Sequence, residues 1–445
     1  MRTPRKSAKR PTSGQPERPA DDEIWPRVTR ELADDLAVDA PARDRAGKAP
    51  FDEVARLKEA GLPALLTPPG PSGHGADWQA ACAVIREISA ADGSIGELLA
   101  HHYVLSFSTR FFADDPAGDT AGDTARDTAS GPGAAFEDRT AREGWLLAGA
   151  VEPPPLRADG APGLTLAPSG RGYVLEGRRS FASGVTVADR LVVGARCSST
   201  GDVRVALVDP GDPAVFTEAG TDRVGQRLAG AGTVTFDAVP VDARDVLGTL
   251  PRDEHAVAPF TALAPLALRL LLVHVGLGIA EGALAEARDI SRATHAAPTA
   301  ASADPVAGGN AYPVGGGEDP YLLLAYGELA TAAHAAAAVV ERATDALARG
   351  LLAARALGVE ERADIAVLVA AAETVTGRSA VRITTRILEL VDTARECDAP
   401  GGGPGLDRFW RNARALTAQS SPDHRLRDIG DHYLNGTRPR LTLLA

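Results

Sequence analysis

The middle of the chain is built from short runs of β-branched residues, and this segment constrains the fold most. Between residues 144 and 250, such runs alternate with Gly, Pro and Asp, as in GYVLEG, ADRLVVGARC, DVRVALVDP and GTVTFDAVPV. Short runs bounded by turn-forming residues are typical of β-strands in small antiparallel sheets. The pattern therefore predicts a compact β domain over residues 144–250.

Long helical segments flank this predicted β domain on both sides. Before it, FDEVARLKEAGL and DWQAACAVIREISAADGSIGELLAHH place apolar residues at helical spacing. After it, long stretches rich in Ala and Leu suit closely packed helices. The chain is predicted to be an α+β multidomain protein, with an N-terminal helical domain (23–143), a middle β domain (144–250) and a C-terminal helical domain (251–445).

Three segments do not fit these domains. Residues 1–22 are basic and Pro-rich and lack the apolar stretch of a secretion signal, so they are predicted to be a disordered tail. Residues 113–138 contain the near-copies AGDT, AGDT and ARDT, which predict an exposed low-complexity insertion. The loop at 295–320 is expected to be mobile or to be ordered by a partner.

Charge and cysteine usage argue against several classes of function. The formal net charge is −12 at pH 7, so no general attraction to nucleic acid or to an anionic membrane is expected. Cys82, Cys197 and Cys397 lie far apart, which gives neither a disulfide framework nor a zinc site. The nine histidines lack metal-ligand spacing. We expect a metal-free protein of the reducing cytoplasm.

The most apolar run, residues 261–280, is almost long enough to cross a bilayer. It contains a proline, an arginine and a histidine and continues into an amphipathic helix, so a buried helix is predicted. Within it, Gly276, Gly278 and Gly282 imitate a dinucleotide-binding motif, but no alternating strand and helix pattern surrounds them. Close packing between helices is therefore the preferred interpretation of these glycines.

Two short motifs carry candidate functional residues. His102, the second residue of a His-His pair, lies near the end of an apolar helix, where an imidazole that faces a cleft could exchange protons. In RRSFASG, Phe181 and Ser183 share a parity, so on a strand they would present a ring and a hydroxyl to a flat heterocycle. On the residues alone, an ordinary histidine and an ordinary strand end explain both motifs more readily.

A longer segment near the end of the chain follows a known pattern. Residues 406–436 read LDRFWRNARALTAQSSPDHRLRDIGDHYLNG, against a family pattern of LDRxWRNARTHTLHDPxxxKxxxIGxxxLNG. Together with ISAADGSIGELLAHH, EGRRSFASG and GQRLAGAGTVTFDAVPVDARDVLG, this segment resembles the acyl-CoA dehydrogenase superfamily. The resemblance is greatest to its monooxygenase branch and extends from about residue 50 to residue 434.

The resemblance implies a fold and a cofactor. In the family, an N-terminal helical domain, a middle β-barrel-like domain and a C-terminal four-helix bundle enclose a flavin, FMN or FAD, and the subunits form a homotetramer. By resemblance, Phe181 and Ser183 contact the flavin ring, with Ser183 as a hydrogen-bond donor near its reactive nitrogen. By the same resemblance, His102 faces the substrate side of the flavin as a proton donor or acceptor.

The resemblance also places residues near the phosphate end of the cofactor. Arg292 occupies a position where the family often has an arginine that binds the cofactor phosphate of a neighbouring subunit. A guanidinium can donate two charge-assisted hydrogen bonds to one anion, so this role is physically reasonable. Gly401 and Gly402 occupy the glycine-rich turn near the cofactor.

One part of the motif departs from the family pattern. Where the family has His-Asp-Pro, this chain has Gln419, Ser420 and Ser421. A glutamine cannot transfer a proton near neutral pH, although its amide still forms hydrogen bonds. Gln419 is therefore expected to form a polar wall of the site, which leaves proton transfer to His102 or to water.

The resemblance implies a flavin-dependent monooxygenase that takes reduced flavin from a separate flavin reductase and oxygenates nitrogen or sulfur of a small molecule. Two alternatives remain open. An acyl-CoA dehydrogenase or related FAD-dependent oxidase needs a carboxylate base, and Ser420 lies in the region where one would be wanted. A non-catalytic relative is the other alternative, because the His-Asp-Pro motif is lost.

Overall fold

The computed structural model describes residues 21–69, 73–113, 132–152, 163–251, 253, 256–296, 319–391, 405–418 and 422–439. The first helices are α1 (Asp21–Ala37), α2 (Ala40–Ala46), α3 (Phe51–Glu59), α4 (Trp78–Ala91), α5 (Gly93–Ser106), α6 (Ser108–Phe112) and α7 (Pro132–Glu143). The strands are β1 (Leu147–Ala150), β2 (Leu164–Ser169), β3 (Gly172–Phe181), β4 (Arg190–Cys197), β5 (Val203–Val208), β6 (Val215–Ala219), β7 (Gly232–Asp242) and β8 (Val246–Leu250). The last helices are α8 (Ala264–Ala296), α9 (Pro320–Ala353), α10 (Val359–Leu390), α11 (Asp407–Ala418) and α12 (Pro422–Asn435).

The order of helices, sheet and helices confirms the predicted fold class, while the domain boundaries stay a prediction. The proposed tail lies outside the described residues, except that its last two residues begin α1. Most of the proposed insertion at 113–138 and of the loop at 295–320 also lies outside them.

A single aspartate separates the two helices that lead to the His-His pair. Asp92 follows α4 and precedes α5, and its Oδ1 accepts a hydrogen bond from the backbone N–H of Ser94 at 3.0 Å. A side-chain acceptor at this position satisfies an N–H that the first helical turn leaves unpaired. The other carboxylate oxygen of Asp92 lies 3.1 Å from Arg43. The run AADGS therefore becomes a helix break whose geometry fixes the direction of α5.

The eight strands form one mixed sheet in the order β6-β7-β3-β2-β4-β5-β8. Strand β4 also pairs in parallel with β1, with Leu147 opposite Arg190 and Ala150 opposite Val193. Alternate residues of β4 point to opposite faces. Val192 packs with the helices, whereas Leu191 and Val193 join a core built from the strands themselves.

That second core shows how the sheet curves. It contains buried side chains from β2 to β7, including Leu175 of β3, Ala206 of β5 and Val234 of β7. The sheet thus encloses its own core, as in a barrel. The described strands nevertheless form an open path that begins at β6 and ends at β8. The expectation of a β-barrel-like domain is therefore refined to a curved, open sheet.

The C-terminal layer consists of three long helices, α8, α9 and α10, which pack on one another, and the shorter α11 and α12, which pack on α10. Within the described residues, this packing agrees with the predicted C-terminal helical bundle. Helix α8 also packs on α4. A Cβ atom on Gly278 would lie 2.3 Å from the carbonyl oxygen of Arg86, and one on Gly282 would lie 2.0 Å from that of Ala90. The glycines therefore serve helix packing, as predicted.

Among the residues that the structure describes, two helical segments are long and apolar enough to span a membrane by length and composition alone. In Thr261–Ala293, 83% of the most apolar window is buried inside the protein, in agreement with the predicted buried helix. In Pro320–Ala356 only 33% of the corresponding window is buried. The exposed apolar side chains there include Tyr321, Leu323 and Leu324 of α9.

Candidate active site

A small apolar cavity lies between α5, β1 and α8. Its volume is about 70 Å³, and its lining includes Val104 of α5, Val151 after β1 and Leu268 of α8. His101 and Glu152 are the titratable side chains in this lining. The cavity therefore lies where the sheet meets both helical layers.

A second and more polar cavity of about 220 Å³ adjoins the first. The two share four lining residues, His101, Glu152, Pro265 and Leu268, so they are direct neighbours, and together they are named the elongated cavity. Helices α10, α11 and α12 contribute further walls to the second cavity. Besides the shared residues, its hydroxyl and charged side chains are Arg269, Glu373, Thr376, Thr417 and Arg425.

The structure places His101, and not His102, at this space. The His102 side chain is fully buried, and its Nε2 lies 2.8 Å from the carbonyl oxygen of Pro63. Its Nδ1 accepts a hydrogen bond from the backbone N–H of Leu147 at 3.0 Å, so Nε2 carries the hydrogen. Burial lowers the pKa of His102 to about 4. Backbone groups hold both ring nitrogens of His102 in this structure, and its role as a proton donor or acceptor stays a prediction.

His101, which is half-buried, belongs to a group of titratable side chains. Glu97 lies one helical turn before it on α5 and is only 1% exposed. The guanidinium of Arg223 lies 3.9 Å from Glu97 and also donates to the carbonyl oxygen of Ala182 at 2.7 Å. Burial raises the pKa of Glu97 to about 7, against the opposing effect of Arg223. Burial, and then Arg223, lower the pKa of His101 to about 4.

The structure separates Phe181 from Ser183. Strand β3 ends at Phe181, so the strand alternation that would put both on one face does not reach Ser183. Phe181 is buried in the core of the sheet with the Arg179 guanidinium 5.4 Å from its ring centre. Ser183 is buried in the following turn, and its hydroxyl donates to the carbonyl oxygen of Ala229 at 3.1 Å. Neither residue lines the elongated cavity.

An arginine–glutamate cluster at the far end of the cavity was missed by the sequence analysis. Arg269 Nε donates to Glu373 Oε2 at 2.9 Å, and Arg425 Nε lies 3.3 Å from the same oxygen. The three residues come from α8, α10 and α12, so their spacing in the sequence gave no signal. An arginine within the most apolar run of the chain was the available indication.

The WRNAR segment joins the three parts of the molecule. On α11, Arg411 pairs with Asp44 of α2 and donates to the carbonyl oxygen of Val224 at 3.1 Å. Asn412 Oδ1 accepts a hydrogen bond from the backbone N–H of Gln226 at 2.7 Å. Arg408 pairs with Glu286 of α8 at 2.6 Å. These contacts make α11 a scaffold that connects the three parts.

Replacing Asn412 with Ala should lower the free energy of unfolding by about 2 kcal/mol, because the buried N–H of Gln226 loses its acceptor. Urea unfolding followed by circular dichroism measures this change. Arg414→Ala, which removes an exposed side chain from the same helix, is the control and should change stability by less than about 0.5 kcal/mol. Equal losses in the two variants would contradict the scaffold role.

Arg292 lies on the exposed face of α8, beside a separate and wider cavity of about 740 Å³ between α8 and α9. Arg288, Tyr326 and His334 also line this cavity. Its two arginines are compatible with an anion. Gln419, Gly401 and Gly402 lie outside the described residues, and no group of metal-ligating side chains occurs among those that are described.

Comparison with known proteins identifies the family. The acyl-CoA dehydrogenase N-terminal domain matches residues 19–110. The probable FMNH2-dependent monooxygenase SfnC of Pseudomonas putida is 30% identical over 421 residues, which cover 93% of this chain and 95% of that protein. The chain belongs to the monooxygenase branch of the acyl-CoA dehydrogenase superfamily.

Two further relatives support this membership of the monooxygenase branch. A dibenzothiophene monooxygenase of Rhodococcus erythropolis is 30% identical over 424 residues, 93% of each chain. The crystal structure of FMN-bound TdsC from Paenibacillus sp. A11-2 superimposes with a TM-score of 0.80 and 28% identity, and covers 95% of this chain and 100% of that chain. The fold is therefore that of this branch.

Proposed function

We propose that this protein is a flavin-dependent monooxygenase that receives reduced FMN from a separate flavin reductase and oxygenates a small molecule. The observation that carries the proposal is the elongated cavity, bordered by His101 and enclosed by the sheet and both helical layers. It occurs in a chain that is similar over 93% of its length to a probable FMNH2-dependent monooxygenase. The mainly apolar lining at one end of this cavity suits a reaction from which water must be excluded.

Buried polar atoms support the fit of a flavin near the end of β3. The Gln226 side chain is fully buried, and among the described residues neither its amide oxygen nor its amide nitrogen has a hydrogen-bond partner. A flavin ring edge carries both hydrogen-bond donors and acceptors and so complements an amide. We propose that Gln226 and Ser183 hold this edge, with Phe181 behind it. The bound flavin, and not a protein side chain, would react with molecular oxygen.

The wide cavity beside Arg288 and Arg292 supports a contribution from a second subunit. Both side chains lie on exposed turns of α8, and α9 next to them exposes Tyr321, Leu323 and Leu324. An exposed apolar helix face beside a cationic pair suits an interface with a second copy. We propose that Arg292 binds the FMN phosphate of a neighbouring subunit in a homotetramer. We further propose that the protein functions in the cytoplasm.

Oxygen uptake tests the proposal. The purified protein is mixed with FMN, NADH and a flavin reductase, and both oxygen consumption and hydrogen peroxide release are recorded with candidate sulfur and nitrogen compounds. A monooxygenase converts part of the consumed oxygen into oxygenated product. Reduction of an electron-acceptor dye by an acyl-CoA without the reductase would instead indicate the dehydrogenase. No saturable binding of reduced FMN would indicate a non-catalytic relative.

Substitution of the two adjacent histidines separates a role at the cavity from a role in packing. His101→Ala should increase peroxide release per oxygen consumed several-fold and leave the unfolding temperature almost unchanged, because His101 borders the cavity. His102→Ala should lower the free energy of unfolding by about 2 kcal/mol, because it leaves the buried N–H of Leu147 without an acceptor. Increased peroxide release from His102→Ala together with a loss of stability in His101→Ala would instead support the proton-transfer role of His102.

A further inference from the structure

The polar end of the elongated cavity carries more positive than negative charge. Arg269 and Arg425 approach the same oxygen of Glu373, at 2.9 and 3.3 Å. Their side chains are each 17% exposed and that of Glu373 is 18% exposed. Two guanidinium groups thus share one carboxylate at the cavity wall, so these three groups have a net charge of +1.

Neighbouring groups do not cancel this charge. Arg362 of α10 is only 3% exposed, and burial, followed by the nearby Arg269, lowers its pKa to about 10. Asp428 is the other acid that acts on Arg269, and it lies on the exposed side of α12. Glu152 lies in the shared part of the cavity and faces Arg179 at 3.8 Å. The polar end is therefore a partly buried region of positive potential.

Arg425 still has hydrogen-bonding capacity. Its Nε is buried and makes no hydrogen bond of good geometry with the described residues, although the Glu373 carboxylate is near it. The Arg425 side chain as a whole is 17% exposed and lines the cavity, so its guanidinium can also donate to a ligand there. A guanidinium matches the two oxygens of a carboxylate or a sulfur oxyanion.

The opposite end of the cavity has different chemistry. Around the shared residues, the lining of the first cavity consists mainly of aliphatic and aromatic side chains, such as Val104, Leu105 and Phe112. Burial of an apolar group there is favourable by about 25 cal/mol per Å². A ligand that fills the whole cavity would need an apolar body at one end and a negative charge at the other.

We propose that the substrate is a small amphipathic monoanion, a carboxylate or a sulfur oxyanion, whose charged group binds Arg425 and Arg269. Its apolar body extends past Pro265 and Leu268 to the wall formed by His101. The assignment of this ligand as the substrate rests on the proposed function, whereas the binding of an anion does not. Glu373 positions the two arginines, and its single charge leaves one positive charge for the ligand.

Calorimetric titration of the full chain tests the charge requirement without flavin or oxygen. The probes are hexanesulfonate and hexanoate, with 1-hexanol as the neutral probe of similar length. At least one of the two anions should bind with a Kd about tenfold or more below that of 1-hexanol. The anion with the lower Kd shows whether the site prefers a sulfur oxyanion or a carboxylate. Equal affinities for the anions and the alcohol, or no saturable binding of either anion, would overturn the proposal.

Variants of Arg425 test which side chain provides the charge. Arg425→Gln should raise the Kd of the anion at least about tenfold and leave that of 1-hexanol unchanged. Arg425→Lys keeps the charge but not the planar guanidinium, so it should lose less anion affinity than Arg425→Gln. This variant replaces Arg425→Gln in the test if circular dichroism shows that the Gln variant is unfolded. The matched control is Arg427→Gln, an exposed arginine on the same helix.

Unchanged anion affinity in both Arg425 variants would show that the arginines serve stability alone. Because the titration involves no cofactor, its failure leaves the monooxygenase proposal standing. Failure of the oxygen-uptake test with intact anion binding would overturn only the proposed reaction.

Discussion

Replacing Gly282 of α8 with Ala is expected to lower the free energy of unfolding by about 3 kcal/mol. Of the three α8 glycines, Gly276, Gly278 and Gly282, this one has the shortest Cβ contact and should give the largest loss. The new Cβ would lie 2.0 Å from the carbonyl oxygen of Ala90, which is far inside van der Waals contact. The obstructing atom belongs to the backbone of α4, so the two helices must separate. Ala is intrinsically better than Gly in a helix, and this preference offsets only about 1 kcal/mol.

Gly327→Ala is the matched control for this substitution. Gly327 is exposed in the helix α9, and a Cβ atom there would meet no atom within 4 Å. This variant should therefore gain about 0.5 to 1 kcal/mol from helix propensity. Chemical denaturation of both variants measures the difference. A stabilising effect at both positions would show that α4 and α8 do not approach as closely as described.

Replacing Glu97 with Gln is expected to remove a large pH dependence of stability. Burial raises the pKa of Glu97 from 4.5 to about 7 in the folded protein. The folded state therefore binds this proton more tightly than the unfolded state does. The resulting stabilisation is complete below pH 4.5 and is lost as the pH rises towards and beyond 7. It amounts to about 3 kcal/mol, because each tenfold change in proton affinity corresponds to about 1.4 kcal/mol.

Urea unfolding of the wild type and Glu97→Gln at pH 5 and pH 8 measures this effect. The stability of the wild type relative to the variant should fall by about 2.5 kcal/mol between the two pH values, because a small part of the effect is already lost at pH 5. The comparison cancels the contribution of His101, whose pKa is lowered to about 4 by burial and by Arg223 in the folded protein. A constant difference between the two proteins would mean that Glu97 is charged throughout this range.

The sequence predicted the fold well, because its signals are local and repeated. The change from helical spacing to short β-branched runs identified the sheet between residues 144 and 250, and the strands span Leu147 to Leu250. Helix packing through Gly278 and Gly282 was also predictable, since no strand pattern surrounded them. The curvature of the sheet was not predictable from the strand pattern, because it depends on which strands pair and on how each one twists.

The candidate site was less predictable, because its residues depend on exact helix rotation and on distant contacts. The sequence could locate the His-His pair but could not decide between its members, which point about 100° apart on a helix. The structure turns His101 to the cavity and His102 to the backbone of Pro63 and Leu147. The Arg269, Glu373 and Arg425 cluster has no sequence signature, since it forms only when α8, α10 and α12 assemble.

The position of α11 has a consequence for how the chain matures during synthesis. Its Arg411 and Asn412 bind Asp44, Val224 and Gln226, which leave the ribosome long before residues 407–418 are made. The earlier segments therefore complete these contacts only after residues 407–418 have been made. We expect nascent chains halted before α11 to remain sensitive to protease and to depend on chaperones, and to become resistant once that helix emerges.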